Sequence, residues 1–336
     1  MCVPSYNRDV ELTRLLESID ASGDNVKDIE IVIREDFSPR RQDIAKAVAD
    51  FKSRSPYSVN YIENEKNFGY DKNLRSVAKS AEGEWVIFMG DDDVFIPGAL
   101  DNFIKFLREN KDIGYVMRRY RRAHEVESGY EYEEFRYAKH DVFFEPSTAT
   151  IIELFRRSLF ISGFTFKKEY FDDYDCADYD GTLLFQLYIL ANICSVHKSC
   201  YCDIAITQAF DNATPFFGSS EAEKNLYDSG ENSVRNSLNF MKQVKVLAES
   251  IEKKLNIKMT EEIITTYSKY SYGFLYEHRD DGIKIFREYA RELRKLGFAK
   301  TYHFYIHYLA LLLLGKSNFQ NLIMKIKKLC GSTPKL

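Results

Sequence analysis

The sequence predicts an α/β fold: a doubly wound, mostly parallel central sheet flanked by helices, followed by a helical C-terminal region. Three observations predict it. Strand-like apolar runs alternate with helix-period segments from Met1 to Met117. One run, Trp85 to Met89, has no polar alternation, as expected of a strand buried on both faces, and it stops on Asp91-Asp92-Asp93. From Glu221 the pattern is helical almost throughout, which divides the chain into residues 1–220 and 221–336.

The elements follow in order. Met1 to Pro4 reads as the end of a strand that lacks the usual preceding apolar residues, an abbreviated start. Asn7 and Asp9 are caps for a helix in which Leu12, Leu15, Leu16 and Ile19 share one face. Ile29 to Ile33 is the second strand, ending at Glu35-Asp36, and Ser38-Pro39 supplies an N-cap and first-turn proline for a helix carrying Ile44, Val48 and Phe51. Val59 to Ile62 is the third strand, after which Asn67-Phe68-Gly69 turns into a helix with Leu74, Val77 and Ala78 inward, closed by Gly83. Trp85 to Met89 is the fourth strand, Pro97 opens the next helix, and Ile113 to Met117 is a further strand. His124 to Pro146, rich in tyrosine and acids, reads as a hairpin-like insertion. Ile161 to Phe166 and Ile204 to Phe210 have strand character on either side of a helix at Thr182 to Ala191, and DNATPFFGSS (211–220) has the composition of a lid loop.

Composition sets outer limits. At 336 residues and 45% hydrophobic content the chain can bury a large core. Six cysteines without a CxxC pair read as reduced thiols of a cytosolic protein. With no signal peptide and no apolar run of about 18 residues, neither secretion nor a transmembrane helix is expected. The net charge of −4 hides an asymmetry: beyond Glu292 there are eight basic residues and no acid, against 39 basic and 51 acidic residues up to and including it. Such a tail calls for an anionic surface as partner. Tyr302 to Leu314 is too short to span a bilayer, and with Lys316, Lys325, Lys327 and Lys328 it suits a helix lying in the membrane interface. A buried helix or a homo-oligomer contact is the alternative.

In open α/β sheets the ligand crevice lies outside the carboxyl ends of the strands. Here those ends carry Ser5 to Arg8, Asp36, Asn67 to Asn73, and the three adjacent acids. Adjacent carboxylates repel, and a hard divalent ion, Mg2+ or Mn2+, is the obvious neutraliser because it shares oxygen ligands with substrate phosphates. Asp36 suits a base or ribose contact, and Lys72 or Arg75 a phosphate. The plain alternative for the acids is a solvated turn before the helix near Pro97.

PSYNR at 4–8, ED at 35–36, NFGYDKN at 67–73 and GDDDV at 90–94 together resemble the family 2 glycosyltransferases of the GT-A (Rossmann-like) fold, most closely the abequosyltransferase-like bacterial members that build surface polysaccharides. The resemblance covers roughly residues 1–215. It implies a nucleotide-sugar donor and a divalent cation (Mn2+ or Mg2+). Together with the thiols and the basic tail, the expectation is a saccharide or lipid-linked saccharide acceptor and no nucleic-acid partner, in a cytoplasmic protein peripheral to the inner face of the membrane. The donor-binding candidates are Pro4, Tyr6, Arg8, Asp36, Asn67, Asp71, Lys72, Asn73, Asp91 and Asp92, and the metal candidates are Asp91, Asp92 and Asp93. Gly90 stands where the family's first acid is usual, so either Asp92 with Asp93 or Asp91 with Asp93 would hold the ion. The acceptor-side motif best matches Tyr179 to Leu183, which makes Asp180 the candidate catalytic base, with Tyr179 in place of the usual Glu and Gln186 in place of the usual Arg. Asp178 or Asp180 as a plain N-cap is the structural alternative.

Rival readings fit less well. A haloacid-dehalogenase-type phosphatase, a nucleotidyltransferase and a dinucleotide oxidoreductase each want a motif this chain lacks, and a non-catalytic subunit would not need the acid triad. His303 and His307 have metal-helix spacing but no HExxH glutamate, and His197 reads as structural. Arg118, Arg119, Arg121 and Arg122 form a basic cluster that suits a lipid diphosphate or, more simply, a solvated strand end.

Overall fold

The computed structural model of the chain describes residues 1–20, 26, 28–127, 129–210 and 215–330. Its first half alternates as expected: β1 (Cys2–Ser5), α1 (Asp9–Asp20), β2 (Glu30–Glu35), α2 (Arg41–Arg54), β3 (Ser58–Glu63), α3 (Tyr70–Lys79) and β4 (Trp85–Ile87). β1, β2 and β3 pair in parallel, with Val3 opposite Ile33 and Val32 opposite Asn60. β1 also meets β4, through a parallel bridge from Cys2 to Phe88 and the Met89 N–H bond to the Cys2 carbonyl at 3.0 Å. The spatial order is therefore β3-β2-β1-β4, and all four carboxyl ends open on one side.

Burial explains the apolar run of β4. Val86 and Phe88 point into one core, Ile87 and Met89 into the other, and none is more than 3% exposed. β2 divides its side chains in the same way, Ile31 and Ile33 against Val32. With apolar layers on both faces, neither strand has a polar side to alternate.

The chain continues through β5 (Val94–Phe95), α4 (Ala99–Glu109), β6 (Ile113–Val126), β7 (Gly129–Phe135), β8 (Val142–Phe144), α5 (Thr148–Phe155), β9 (Phe164–Lys167), α6 (Phe171–Tyr174), α7 (Phe185–Val196) and β10 (Lys198–Phe210). This half of the sheet is mixed: β10 is parallel to β6, whereas β9 runs antiparallel between β4 and β6. Residue type does not encode strand direction, so the apolar run at Ile161 to Phe166 could not reveal it. The expected insertion is a hairpin, β6 running on past Met117 to Val126 and returning through β7. Ser38 does not cap α2, which starts at Arg41; its N–H instead binds Glu35 Oε1 at 2.9 Å.

Five further helices follow: α8 (Val234–Leu255), α9 (Thr260–Lys269), α10 (Tyr272–Glu277), α11 (Ile283–Leu296) and α12 (Tyr302–Cys330). Ser233 caps α8 by accepting the Asn236 N–H at 3.2 Å. Met241, Val244, Leu247 and Ile251 then recur on one face and join the core that holds Leu74, Phe164 and Leu187. The C-terminal helices are thus packed into the same apolar layer as α3 and α7. Gly315 (φ 74°, ψ 175°) kinks α12.

Candidate active site

Two residues beyond β1 and β2 the chain enters the left-handed region, at Asn7 (φ 61°) and Phe37 (φ 57°). Those sharp turns leave Tyr6, Arg8 and Asp36 on the rim of a cleft of about 240 Å³. Pro4, Tyr6, Arg8, Asp36, Asn67, Asn73, Asp91 and Asp92 all line it, so four strand ends contribute to one wall.

Asp36 is the fixed point on one side. Its Oδ1 accepts the Phe68 N–H and Asn64 Nδ2, both at 2.7 Å, and its Oδ2 accepts the Gly69 N–H at 2.9 Å. Asn64 also donates to Asn73 Oδ1 at 2.9 Å, which ties the strand end to α3. Burial pushes Asp36 up to about 6, with the three hydrogen bonds opposing the shift. A carboxylate offers about four acceptor positions, so one is left for a ligand.

The acids after β4 are spread rather than convergent. Arg8 Nη1 lies 2.8 Å from Asp91 Oδ1 and 3.1 Å from Asp92 Oδ2, and Asp91 Oδ2 accepts the Tyr6 N–H at 3.1 Å. Asp93 turns away to Ser162 Oγ, which in turn accepts the Gly90 N–H at 2.7 Å. Burial pushes Asp91 up to about 6, with Arg8 opposing and Asp92 adding to the shift. Burial and the Asp92 charge raise Asp93 well above the usual carboxylate range. Arg118, fully buried nearby, donates to the Phe88 carbonyl at 2.7 Å, and burial pushes it down to about 9.

Among the described residues, no three His, Cys, Asp or Glu side chains stand together as a ready ligand set. The donor chemistry still fits a hard divalent ion, which is commonly held by one or two carboxylates plus substrate phosphates. Asp91 and Asp92 are the pair that faces the cleft, whereas Asp93 would have to leave Ser162 to reach it.

A closing segment covers the cleft. Pro215, Phe216 and Phe217 line it, and Phe216 meets Tyr6 edge-on at 5.7 Å between ring centres. Glu223, 1% exposed, fastens this segment: Oε1 accepts the Tyr70 N–H at 2.6 Å and Oε2 the Gly218 N–H at 2.9 Å. Asn67 adds a bond to Ser219 at 3.0 Å. The first part of the expected lid, 211–214, lies outside the described residues. Glu223 and Ser162 were not singled out by the sequence, because each acts on partners far away along the chain and neither sits in a motif.

Three expected site residues stand elsewhere. Asp71 is fully buried and accepts the Leu183 N–H at 2.7 Å and the Phe185 N–H at 3.0 Å, so it caps α7 rather than facing a donor. Lys72 does not line the cleft; its Nζ lies 3.8 Å from the Phe68 ring centre. Asp180 is held by Arg75 through two bonds of 2.8 Å, and Arg75 also binds Asp175 at 2.5 Å, which removes Arg75 from any phosphate. Neither Asp178 nor Asp180 caps α7, which begins at Phe185. Asp180 is nonetheless close to the closing segment, because Gly181 packs against Ala222 beside Glu223. His197 stacks on Tyr170 at 3.7 Å, and His307 bonds Ser271 at 3.0 Å, so both have structural partners. Arg119 pairs with Glu134, and Arg121 binds Gln208.

A sheet of order β3-β2-β1-β4 with acids at the mouth and a strapped closing segment defines a ligand-binding α/β protein of the doubly wound class. Residues 1–174 match Glycosyl transferase family 2, and the chain belongs to that family. It is 31% identical over 109 residues to the GalNAc(5)-diNAcBac-PP-undecaprenol beta-1,3-glucosyltransferase of Campylobacter jejuni, covering 32% of this chain and 33% of that one. It is 29% identical over 113 residues to the abequosyltransferase RfbV of Salmonella typhimurium, covering 33% of each chain. The matched segment thus spans about a third of these curated relatives. Among solved structures, S. aureus TarS 1-349 in complex with UDP-GlcNAc superposes with a TM-score of 0.55 at 15% identity, over 97% of this chain and 90% of that one, a likeness of fold.

Proposed function

We propose that the protein transfers a sugar from a nucleotide-diphosphate donor to a saccharide acceptor, lipid-linked, in the synthesis of a bacterial surface polysaccharide. The observation that carries this reading is the single cleft shared by Tyr6, Arg8, Asp36, Asp91 and Asp92 beneath the closing segment. The family and the relatives named above support it, as does the UDP-sugar bound to the structural neighbour.

In this reading the shelf of Asp36, Asn64 and Gly69 receives the base and ribose, since Asp36 keeps an acceptor position free. Tyr6 and Phe216 present aromatic surface beside it. Asp91 and Asp92 would hold Mn2+ or Mg2+, which when bound neutralises the charge of the departing diphosphate. The closing segment excludes water, so that the acceptor hydroxyl and not solvent meets the anomeric carbon. Asp180, which does not line the cleft and has both oxygens paired with Arg75, is the carboxylate this reading assigns to take the proton of that hydroxyl through a remaining lone pair. Asp180→Asn should then abolish transfer while leaving donor binding intact, and near-wild-type activity would reject the assignment.

The decisive experiment is a thermal-shift screen with UDP, GDP, CDP and TDP, each with and without Mn2+. A nucleotide that binds only the native state raises the melting temperature. No shift with any of the four would overturn the donor reading. A lipid-linked acceptor also gives the C-terminal tail its role, docking a cytoplasmic enzyme on the inner face of the membrane.

A further inference from the structure

Arg8 is a cation set between two acids that would otherwise repel. It follows the turn after β1, its Nη1 bridges Asp91 Oδ1 and Asp92 Oδ2, and its guanidinium lies 5.2 Å from the centre of the Phe216 ring. Its side chain is 18% exposed, so it can be reached from the cleft. On Asp91 both oxygens are engaged, Oδ1 by Arg8 and Oδ2 by the Tyr6 N–H, and Asp93 is turned to Ser162. A divalent ion seated on the pair would therefore compete with Arg8 for Asp91 Oδ1 and for the charge of both carboxylates, and two cations in contact repel. A guanidinium released there has a natural destination, because its planar fork matches phosphate oxygens in pairs.

We propose that Arg8 is a displaceable internal cation, holding Asp91 and Asp92 together in the donor-free protein and passing to the donor diphosphate when a divalent ion takes the carboxylates. The proposal rests on the nucleotide-diphosphate reading of the cleft. It makes ion and nucleotide bind cooperatively: the ion alone must displace Arg8 unaided, while the nucleotide offers the displaced guanidinium a partner. The coupling is reciprocal, as linkage requires. Because Arg8 also lies against Phe216, the same movement reaches the closing segment.

The test is a Mn2+ titration followed by the electron paramagnetic resonance of the free ion. It uses the full chain, wild type, Arg8→Gln and Arg8→Lys, without nucleotide and with UDP, at pH 8 so that a proton does not replace the missing guanidinium. Removing a competing cation from a partly buried acid pair should tighten Mn2+ binding to Arg8→Gln roughly tenfold in the absence of nucleotide. UDP should strengthen Mn2+ binding in every variant, because its phosphates share the ion, but by a clearly larger factor in the wild type than in Arg8→Gln, with Arg8→Lys in between. Arg8→Gln binding Mn2+ no better than wild type, or keeping the full UDP effect, overturns the proposal. Should Arg8→Gln fail to fold, judged by its urea midpoint, Arg8→Lys decides by the same two comparisons. If wild type with Mn2+ binds none of UDP, GDP, CDP or TDP, the nucleotide reading fails, and the ion-only comparison still decides whether Arg8 blocks the acid pair.

Discussion

Asp36 holds three donors with two oxygens, and that count makes a sharp prediction. In Asp36→Asn an amide presents its own N–H groups where the Phe68 and Gly69 backbones need an acceptor. One buried N–H is left without a partner, at a cost of about 1–3 kcal/mol. The urea midpoint should drop accordingly, and UDP affinity with it; a variant as stable as the wild type would show that the turn is not held by this carboxylate. Asp71 gives a second test at this scale. Burial pushes it up to about 7 from an ordinary value near 3.8, with the Leu183 and Phe185 N–H bonds opposing. The folded protein therefore binds this proton more readily than the unfolded chain between those two values, so stability is greatest on the acid side of the window and falls as pH rises towards 7. Asp36, at about 6, acts in the same direction. Thermal melts should show a falling midpoint from pH 5 to pH 8, with a shallower fall in Asp71→Asn. An unchanged slope would remove Asp71 from the account.

At the scale of elements, the closing segment depends on what Gly69 lacks. Its φ of 82° suits glycine, and a Cβ there would come within 2.3 Å of Ser220 Oγ and 2.7 Å of Glu223 Oε1. Gly69→Ala should cost about 1–2 kcal/mol of strain and push the 215–220 segment off the cleft. Faster limited proteolysis at that segment, with weaker donor binding, is the expected result, and Glu223→Gln should do the same more mildly by giving up one acceptor. Protection equal to wild type in both would mean that the segment is fastened by other contacts. The sequence marked 211–220 as a lid and Asn67-Phe68-Gly69 as a turn, but not the strap through Glu223 that joins them. β4 was legible, because burial on both faces writes itself into Trp85 to Met89 as an unbroken apolar run, and the ends of β1, β2 and β3 follow from the same alternation. Glu223, Ser162 and the antiparallel direction of β9 were hidden, since each depends on which distant segments meet. Asp71 and Lys72 misled for a related reason: a motif on the first turn of α3 puts neighbouring residues on different faces, and there Tyr70 and Asn73 line the cleft while Asp71 and Lys72 do not.

On the scale of the whole molecule, α12 presents two apolar faces where a surface helix needs one. Phe304, Leu311 and Phe319 are buried in the core that α12 shares with α9 and α10. On the other side Tyr302, Ile306, Leu309 and Leu313, spaced by three or four residues, are 69%, 55%, 51% and 81% exposed, and Leu322 and Ile326 continue beyond the kink at 41% and 45%. No described helix is long and apolar enough to cross a membrane. Lys316 follows directly, Lys325 is exposed, and the chain has no acid after Glu292. An apolar stripe beside a basic tail suits the boundary between acyl chains and anionic headgroups, where burying each such side chain contributes up to about 1.5–3 kcal/mol and each lysine about 1 kcal/mol. The full chain should therefore sediment with phosphatidylglycerol vesicles, less so with purely zwitterionic ones and less at high salt. Ile306→Asp with Leu313→Asp should release it without changing UDP binding, since neither residue approaches the cleft. Wild-type protein that stays in the supernatant and instead forms a concentration-dependent dimer would give the stripe to a second copy of the chain. A monomer that ignores the vesicles would leave the membrane with no part in bringing enzyme and acceptor together.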